Sequence, residues 1–360
     1  MQKNGPPKRV TITDLARELG VSDRAVSQAL HPRQSNVRLN PKTVERIRNL
    51  AEKRNYRTDT SARAMRTGRF LNLGYFEAKP YPTALPLRGS EEGIHDGATR
   101  HGYRVVLIKI SMDSSDQFNP IPAVFSEAHL DALIVSNVGY LSPECKGAIA
   151  ASGLPVIYLN EKEPKNSVYV DDLYGSQRIT TYLVEQGYRR ISFLGTCSSR
   201  VTDKRFQHYS VDDRISGYKK ALALAGLPAN VLHFSPDWQN ELRAWLKAHP
   251  DIDAMVCPGD FSALRLFQVL YKDQIRVPEE LAVTGYGDDF SNECPVALTT
   301  MCIPFYEMGV RAAEMAVELC NDRKQATIPS TVFRPELVIR DSTLPFEARK
   351  AHITSPQMSS

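Results

Sequence analysis

The 360-residue chain has little of what most enzymes, membrane proteins and secreted scaffolds require. No apolar run is long enough to span a bilayer. The opening residues, MQKNGPPKRV, hold no apolar stretch of the kind a secretory signal needs, so the expected address is the cytosol. Cysteines are scattered over positions 145, 197, 257, 294, 302 and 320, with no C-x-x-C pair. That spacing offers neither a disulfide framework nor a metal site, and the thiols are expected to be reduced and mostly buried. G-x-x-x-x-G-K, G-x-S-x-G and H-E-x-x-H are all missing. No cofactor and no enzymatic activity are therefore expected. Asp288–Asp289 is the nearest approach to a catalytic pair, and a lone acidic pair on a loop is more commonly a hydrogen-bond acceptor or solvated surface.

What the chain does have is an uneven charge. Residues 1–69 hold 16 Lys/Arg and 6 Asp/Glu, a net of +10, whereas the whole chain is only +4 (45 minus 41). The remainder carries 29 basic and 35 acidic residues, a net of −6. A basic head on an acidic body is the electrostatic footprint of a nucleic-acid module joined to something else.

Within that head, residues 11–30, TITDLARELGVSDRAVSQAL, read as two short helices joined by a tight turn. Thr11 caps the first, with Asp14 at the capping-box spacing, and Leu15, Ala16 and Leu19 form its apolar face. Gly20 ends it and Ser22 caps the second. Val26 and Leu30 point back to a shared core, leaving Asp23, Arg24, Ser27 and Gln28 outside. This is a helix-turn-helix with its recognition helix starting near Ser22. Asn40 followed by Pro41 starts a third helix, with Val44, Ile47, Leu50 and Ala51 as its stripe. A helical bundle with no DNA partner is the plainer alternative, and the agreement of caps, glycine and polar outer face argues against it.

Residues 58–69 join the head to the body. Asp59 and Gly68 bracket a helix too short to be stable alone. Ala62 and Met65 share a face flanked by Arg63, Arg66 and Arg69, a pattern suited to the minor groove with an apolar wedge between base pairs. A basic, flexible linker is the alternative.

From Leu71 onward, apolar strand-like runs alternate with amphipathic stretches. The runs are Leu71–Phe76, Arg104–Ile110, Ala132–Ser136, Val156–Leu159, Arg190–Gly195, Ala254–Cys257 and Leu281–Tyr286. Among the amphipathic stretches are Gly175–Gln186, Arg214–Ala225 and Ala263–Tyr271. The pattern predicts an α/β body of parallel sheets covered on both faces, too many units for one sheet and hence two doubly wound lobes. A ligand site is expected beyond the carboxyl ends of the strands, in the cleft between the lobes.

These segments resemble the lactose/galactose-repressor family of bacterial transcription regulators. The likeness is carried by VTITDLARELGVSDRAVSQAL, RNYRTDTSARAMRTGR, YLVEQGYRRISFLG, DRISGYKKALALAGL, VPEELAVTGYGDDF and LTTMCIPFYEMGVRAAEMAVELC, covering roughly residues 10 to 342. It implies a homodimer on a near-palindromic DNA operator and a periplasmic-binding-protein-like body with a small, carbohydrate-like effector between its lobes. The implied division is a head at 1–57, a hinge at 58–69, a body at 70–345 and a disordered tail at 346–360. Lobe 1 takes about 70–170 and 302–332, and lobe 2 about 171–301 and 333–345.

The resemblance also assigns residues. Asp23, Arg24 and Gln28 take base-reading places, within a DNA-contacting set of Thr11, Ser22, Asp23, Arg24, Ser27, Gln28, Arg63, Met65 and Arg66. Arginine at position 24 suits guanine. Arg214 opens R-x-x-G-[FY] and looks like the arginine that holds effector hydroxyls or a carboxylate. Trp238 falls where the family often sets a ring against a sugar, with core packing as the alternative. Asp260 and Asp288 match acidic positions near the cleft, with a helix cap or hinge contact as the alternative for Asp260. The chain departs from the family pattern around His31–Asn40, at Thr58, at Gly259-Asp260, in the Gly285–Asp289 turn and through much of 77–130. An ordinary hexose is therefore not assumed. A small-molecule sensor that has lost specific DNA binding is the alternative function, and the basic, well-capped head argues against it.

Overall fold

Short-range caps set the first three helices. The computed structural model describes residues 10–30, 39–57, 64, 68–79, 89–111, 129–137, 143–195, 208–234, 238–322 and 326–344. Most of the 58–69 hinge, the departure at 31–38 and the expected disordered tail at 346–360 lie outside the described residues. The chain divides into two units, Met1–Phe70 and Leu71–Ser360.

In the first unit, the Thr11 hydroxyl accepts from the Asp14 N–H at 3.2 Å, and the Asp14 carboxylate accepts from the Thr11 N–H at 3.0 Å. That reciprocal box starts α1 (Ile12–Leu19), and Gly20, at φ +67°, ends it. Ser22 Oγ accepts from the Ala25 N–H at 3.2 Å to start α2 (Asp23–Leu30). Asn40 Oδ1 accepts from the Lys42 N–H at 3.0 Å to start α3 (Pro41–Lys53), with Pro41 at its first position. Each helix gives one fully buried side chain, Leu15, Val26 and Ile47, to a common core. Each such burial contributes about 1.5–3 kcal/mol. An ion pair between Arg54 and Glu18, at 2.7 Å, ties α3 to α1.

The second unit contains two parallel sheets. The first combines β1 (Asn72–Lys79), β2 (Arg104–Ser111), β3 (Ala132–Asn137), β4 (Val156–Leu159), β5 (Ser167–Val170) and a late strand, β11 (Thr331–Phe333). Their order is β11-β5-β4-β3-β1-β2, all parallel. Helices α4 (Ser90–Arg100) and α5 (Pro143–Ala151) belong to this lobe. The second sheet holds β6 (Ile191–Leu194), β7 (Asn230–Leu232), β8 (Ala254–Val256) and β9 (Ala282–Thr284) in the order β7-β6-β8-β9, again parallel. Its helices are α6 (Asp172–Glu185), α7 (Tyr209–Leu224), α8 (Trp238–Ala248) and α9 (Asp260–Lys272). Both lobes are doubly wound, with the order reversing between β1 and β3 and between β6 and β8. Ligands bind at such reversals, beyond the strands' carboxyl ends.

Three short passages connect the lobes. The first runs from β5 into α6. The second runs from β10 (Thr300–Cys302) into α10 (Phe305–Asn321), and the third from β11 into β12 (Glu336–Val338). β10 and β12 pair antiparallel, so two of the passages are hydrogen-bonded to each other. Helix α10 lies so close to α4 that a Cβ at Gly93 would collide with the carbonyl oxygen of Tyr306. One buried cluster runs through both lobes, including Ile94, Ala98, Ala312 and Met315 of the first and Ile179, Phe193 and Tyr218 of the second, and Leu242, Leu266, Leu270 and Val283 belong to another cluster in the second lobe. No helix among the described residues is long and apolar enough to cross a membrane.

The seven expected strand runs correspond to β1, β2, β3, β4, β6, β8 and β9. Missing from the sequence reading are β5, β7, β10, β11 and β12, each of which opens on a polar residue and so offers too short an apolar run to stand out.

Candidate functional site

In the head, α2 presents Asp23 and Arg24 to solvent and leaves Ser27 and Gln28 half-buried, while Val26 and Ala29 face inward. Thr11 and Ser22 serve their helices as caps and are themselves exposed. Arg24 has no hydrogen-bond or ion-pair partner among the described residues. Asp23 does: Thr13 Oγ1 donates to its Oδ2 at 2.8 Å, bracing α2 on α1. The sequence reading missed Thr13, since no local pattern couples residues ten apart across a turn. Of the expected linker contacts, Arg63, Met65 and Arg66 lie outside the described residues. Ala64 is helical and buried, and Gly68, at φ +68°, donates its N–H to the Ala64 carbonyl at 2.7 Å.

In the body, a largely buried polar cluster centres on Arg214. The second turn of α7 carries it to the end of β8, where Nη1 donates to the Pro258 carbonyl. Its Nε donates to Asp172 Oδ1 at 2.8 Å, and its guanidinium lies over the Tyr286 ring, 3.8 Å from the centroid. Asp172 opens α6, directly after the first passage between the lobes, and is fully buried. The Arg214 side chain is 16 % exposed. Burial alone would lower the guanidinium's pKa, but the adjacent Asp172 charge outweighs it and holds the pKa above its ordinary value.

The start of α7 clasps the first lobe. His208 Nε2 is 2.6 Å from the Asn160 carbonyl, which can only accept, so that nitrogen carries the proton and Nδ1 accepts from Ser210. Burial pushes the His208 pKa down, favouring this neutral form. The Tyr209 hydroxyl receives the Val170 N–H at 3.1 Å, and its own pKa is driven far up, mainly by burial. Lys162 pairs with Asp213 at 2.6 Å.

A cavity of about 660 Å³ opens beside this cluster, lined in part by Gly287, Asp288, Asp289, Phe305, Tyr306, Arg334 and Glu336. Asp288 is on its wall, at φ +65°, but its carboxylate is held by Arg340 at 2.8 Å and accepts from Ser291. Burial would raise the Asp288 pKa, and the Arg340 and Ser291 hydrogen bonds reverse this and hold it below the ordinary range. Asp260, the first residue of α9, is buried and accepts from Thr300 Oγ1 at 2.6 Å and the Phe290 N–H at 3.3 Å. Its pKa is raised, chiefly by burial. It ties the start of α9 to β10 and to the loop at Phe290. Trp238 departs from the cleft expectation: it is only 4 % exposed within the second lobe's apolar cluster. Arg265 covers its ring at 4.6 Å. The core-packing alternative accounts for it, because the start of α8 points inward.

The structure thus places Asp288 on the cavity wall, holds Arg214 against Asp172, Pro258 and Tyr286, and buries Asp260 and Trp238. Asp172, Tyr286, Tyr209 and Arg340 were not singled out from the sequence. A signal for Asp172 existed: the pair Asp171–Asp172 directly follows the apolar run SVYV, at the carboxyl end of a strand.

A model of the periplasmic binding protein-like domain matches residues 180–343. The HTH-type transcriptional regulator RegA of Clostridium saccharobutylicum is 26% identical, over 93% of this chain and 99% of its own. The HTH-type transcriptional regulator GalR of Escherichia coli is 27% identical, over 96% and 99%. Among solved structures, the lac repressor dimer bound to operator and the anti-inducer ONPF superposes with a TM-score of 0.72 at 21% identity, covering 94% of this chain and all of that one. The transcriptional regulator CelR in complex with cellobiose superposes with a TM-score of 0.63 at 21% identity, covering 93% and 100%.

Proposed function

We propose that this chain, which belongs to the lactose/galactose-repressor family of bacterial transcription regulators, represses transcription by binding a DNA operator under the control of a small molecule held between its lobes. The observation that carries this is the pairing of two units in one chain. Residues 1–69 bear the net +10 and include a capped three-helix head with a polar recognition face, and a two-lobed body bears a lined cleft. The matching relatives are transcription regulators rather than enzymes.

In this reading the working form is a cytosolic homodimer. Two heads occupy neighbouring half-sites, with Arg24, Ser27 and Gln28 toward base edges and Thr11 and Ser22 toward the phosphates. Asp23 shapes the same face while held by Thr13. Two hinge segments meet in the central minor groove, Met65 as the wedge and Arg63 and Arg66 on the phosphates. The effector is carbohydrate-like and contacts Arg214 and the Asp288 side of the cleft. Closing the lobes around it changes the spacing of the hinges, whose helix is marginal alone, and so sets operator affinity.

Selection of random duplex DNA by the purified full-length chain, repeated across salt concentrations, tests the function. An enriched palindrome is expected. Binding that stays salt-sensitive and unselective would instead identify a sensor without sequence readout.

A further inference from the structure

We infer that the cleft accepts an uncharged, hydroxyl-rich small molecule and refuses anionic ones such as sugar phosphates and sugar acids, because Asp172 has already neutralised Arg214. The inference rests on the proposal that the cleft is the effector site, and it decides between the hydroxyl and carboxylate roles that the family resemblance leaves open for Arg214.

The cleft's arginine is committed on three sides. Its Nε is on Asp172 at 2.8 Å, Nη1 is on the Pro258 carbonyl, and one flat face lies on Tyr286. Asp172 is wholly buried, so water cannot screen its charge. A phosphate or carboxylate brought to Arg214 would therefore come close to a second, unscreened negative charge, and like charges at that range repel strongly. A hydroxyl meets no such barrier. It can accept from the guanidinium's remaining N–H groups.

The other Asp172 oxygen is buried too, and the Tyr286 hydroxyl hydrogen-bonds to this carboxylate, so the negative charge stays fixed beside the arginine. The adjoining cavity has the same bias. With Asp288 paired to Arg340, its lining still contributes Asp289, Glu307 and Glu336 against one cation, Arg334, which pairs with Asp171 at 3.6 Å. The cavity adjoins the arginine site through sequence neighbours: Gly287 follows Tyr286, and Arg334 holds the residue before Asp172.

The test is isothermal titration of the full-length chain with inorganic phosphate and with glucose 6-phosphate, using wild type, Asp172→Asn and the double variant Asp172→Asn/Arg214→Gln. The head's attraction for phosphate is common to all three and subtracts out. We expect no one-to-one site in wild type. In Asp172→Asn we expect one that is at least about tenfold tighter than any residual binding, and it should vanish in the double variant. A folded Asp172→Asn chain with no gain overturns the inference, and so does wild type that binds glucose 6-phosphate as tightly as the variant. A second measurement needs no Asp172 variant: a rise in the wild-type unfolding temperature with gluconate or glucose 6-phosphate, absent in Arg214→Gln, also overturns it. DNA selection on the same preparation is scored separately, so loss of sequence preference counts against the regulator reading alone.

Discussion

Replacing Arg24 by alanine probes the recognition face where the structure leaves it least encumbered. Arg24 is exposed on α2, and among the described residues nothing holds its guanidinium, so the head should keep its fold to within about 0.5 kcal/mol. The whole effect then falls on DNA. A bidentate arginine–guanine contact discriminates by about 1–3 kcal/mol, or about 5- to 150-fold in affinity. That loss should appear against the selected operator and shrink toward nothing on an operator changed at the one base pair Arg24 reads. The assay is competition binding with the operator and its single-base variants at two salt concentrations. Arg24→Lys should keep the charge and lose the fork, recovering affinity without recovering discrimination. A refuting result is equal weakening on every sequence with the salt slope reduced by about one, which would make Arg24 a phosphate contact.

Three further outcomes follow from the body. Asp288 has a lowered pKa, so its pairing with Arg340 contributes stability above the ordinary aspartate range that is lost as pH falls through the lowered value. Asp288→Asn should cost about 1–2 kcal/mol near neutrality and flatten that acid limb, as read from urea midpoints against pH. Trp238→Ala should cost about 3–5 kcal/mol of body stability, whereas Trp238→Phe should leave effector affinity within twofold; affinity lost without stability would return the ring to the cleft. Gly93→Ala should wedge α4 from α10 and cost about 1–3 kcal/mol or more by chemical denaturation, and an unchanged midpoint would show that the two helices separate freely.

Features legible in the sequence were those written at short range. Thr11 to Asp14, Gly20, Ser22, and Asn40 before Pro41 specify the head within three or four residues of each event, and the structure forms each of them. Buried strands such as β3, β6 and β8 were legible because a continuous apolar run bounded by turns has few other interpretations. Harder to read were contacts closed by tertiary folding. Asp172 lies 42 residues before Arg214, and no local pattern couples them, yet their pairing is the best-buried ion pair of the candidate site. Asp260 and Trp238 illustrate the opposite difficulty. Residue type and family position suggested ligand contacts, while the first turns of their helices point them into protein rather than open space.

The ribbon formed by β10 and β12 has a mechanical consequence. Two of the three passages between the lobes are zipped into one strip, and the remaining one is tied to the strip's neighbourhood by Arg334 on Asp171. Three independent tethers would let the lobes shear, twist and separate. A strip with a side-stay behaves more like a door hinge, with one soft axis and all other motions stiff. Movement in the body should then follow a single angle on the microsecond-to-millisecond scale of hinge bending, so a distance measured between any pair of probes across the cleft would report the same curve.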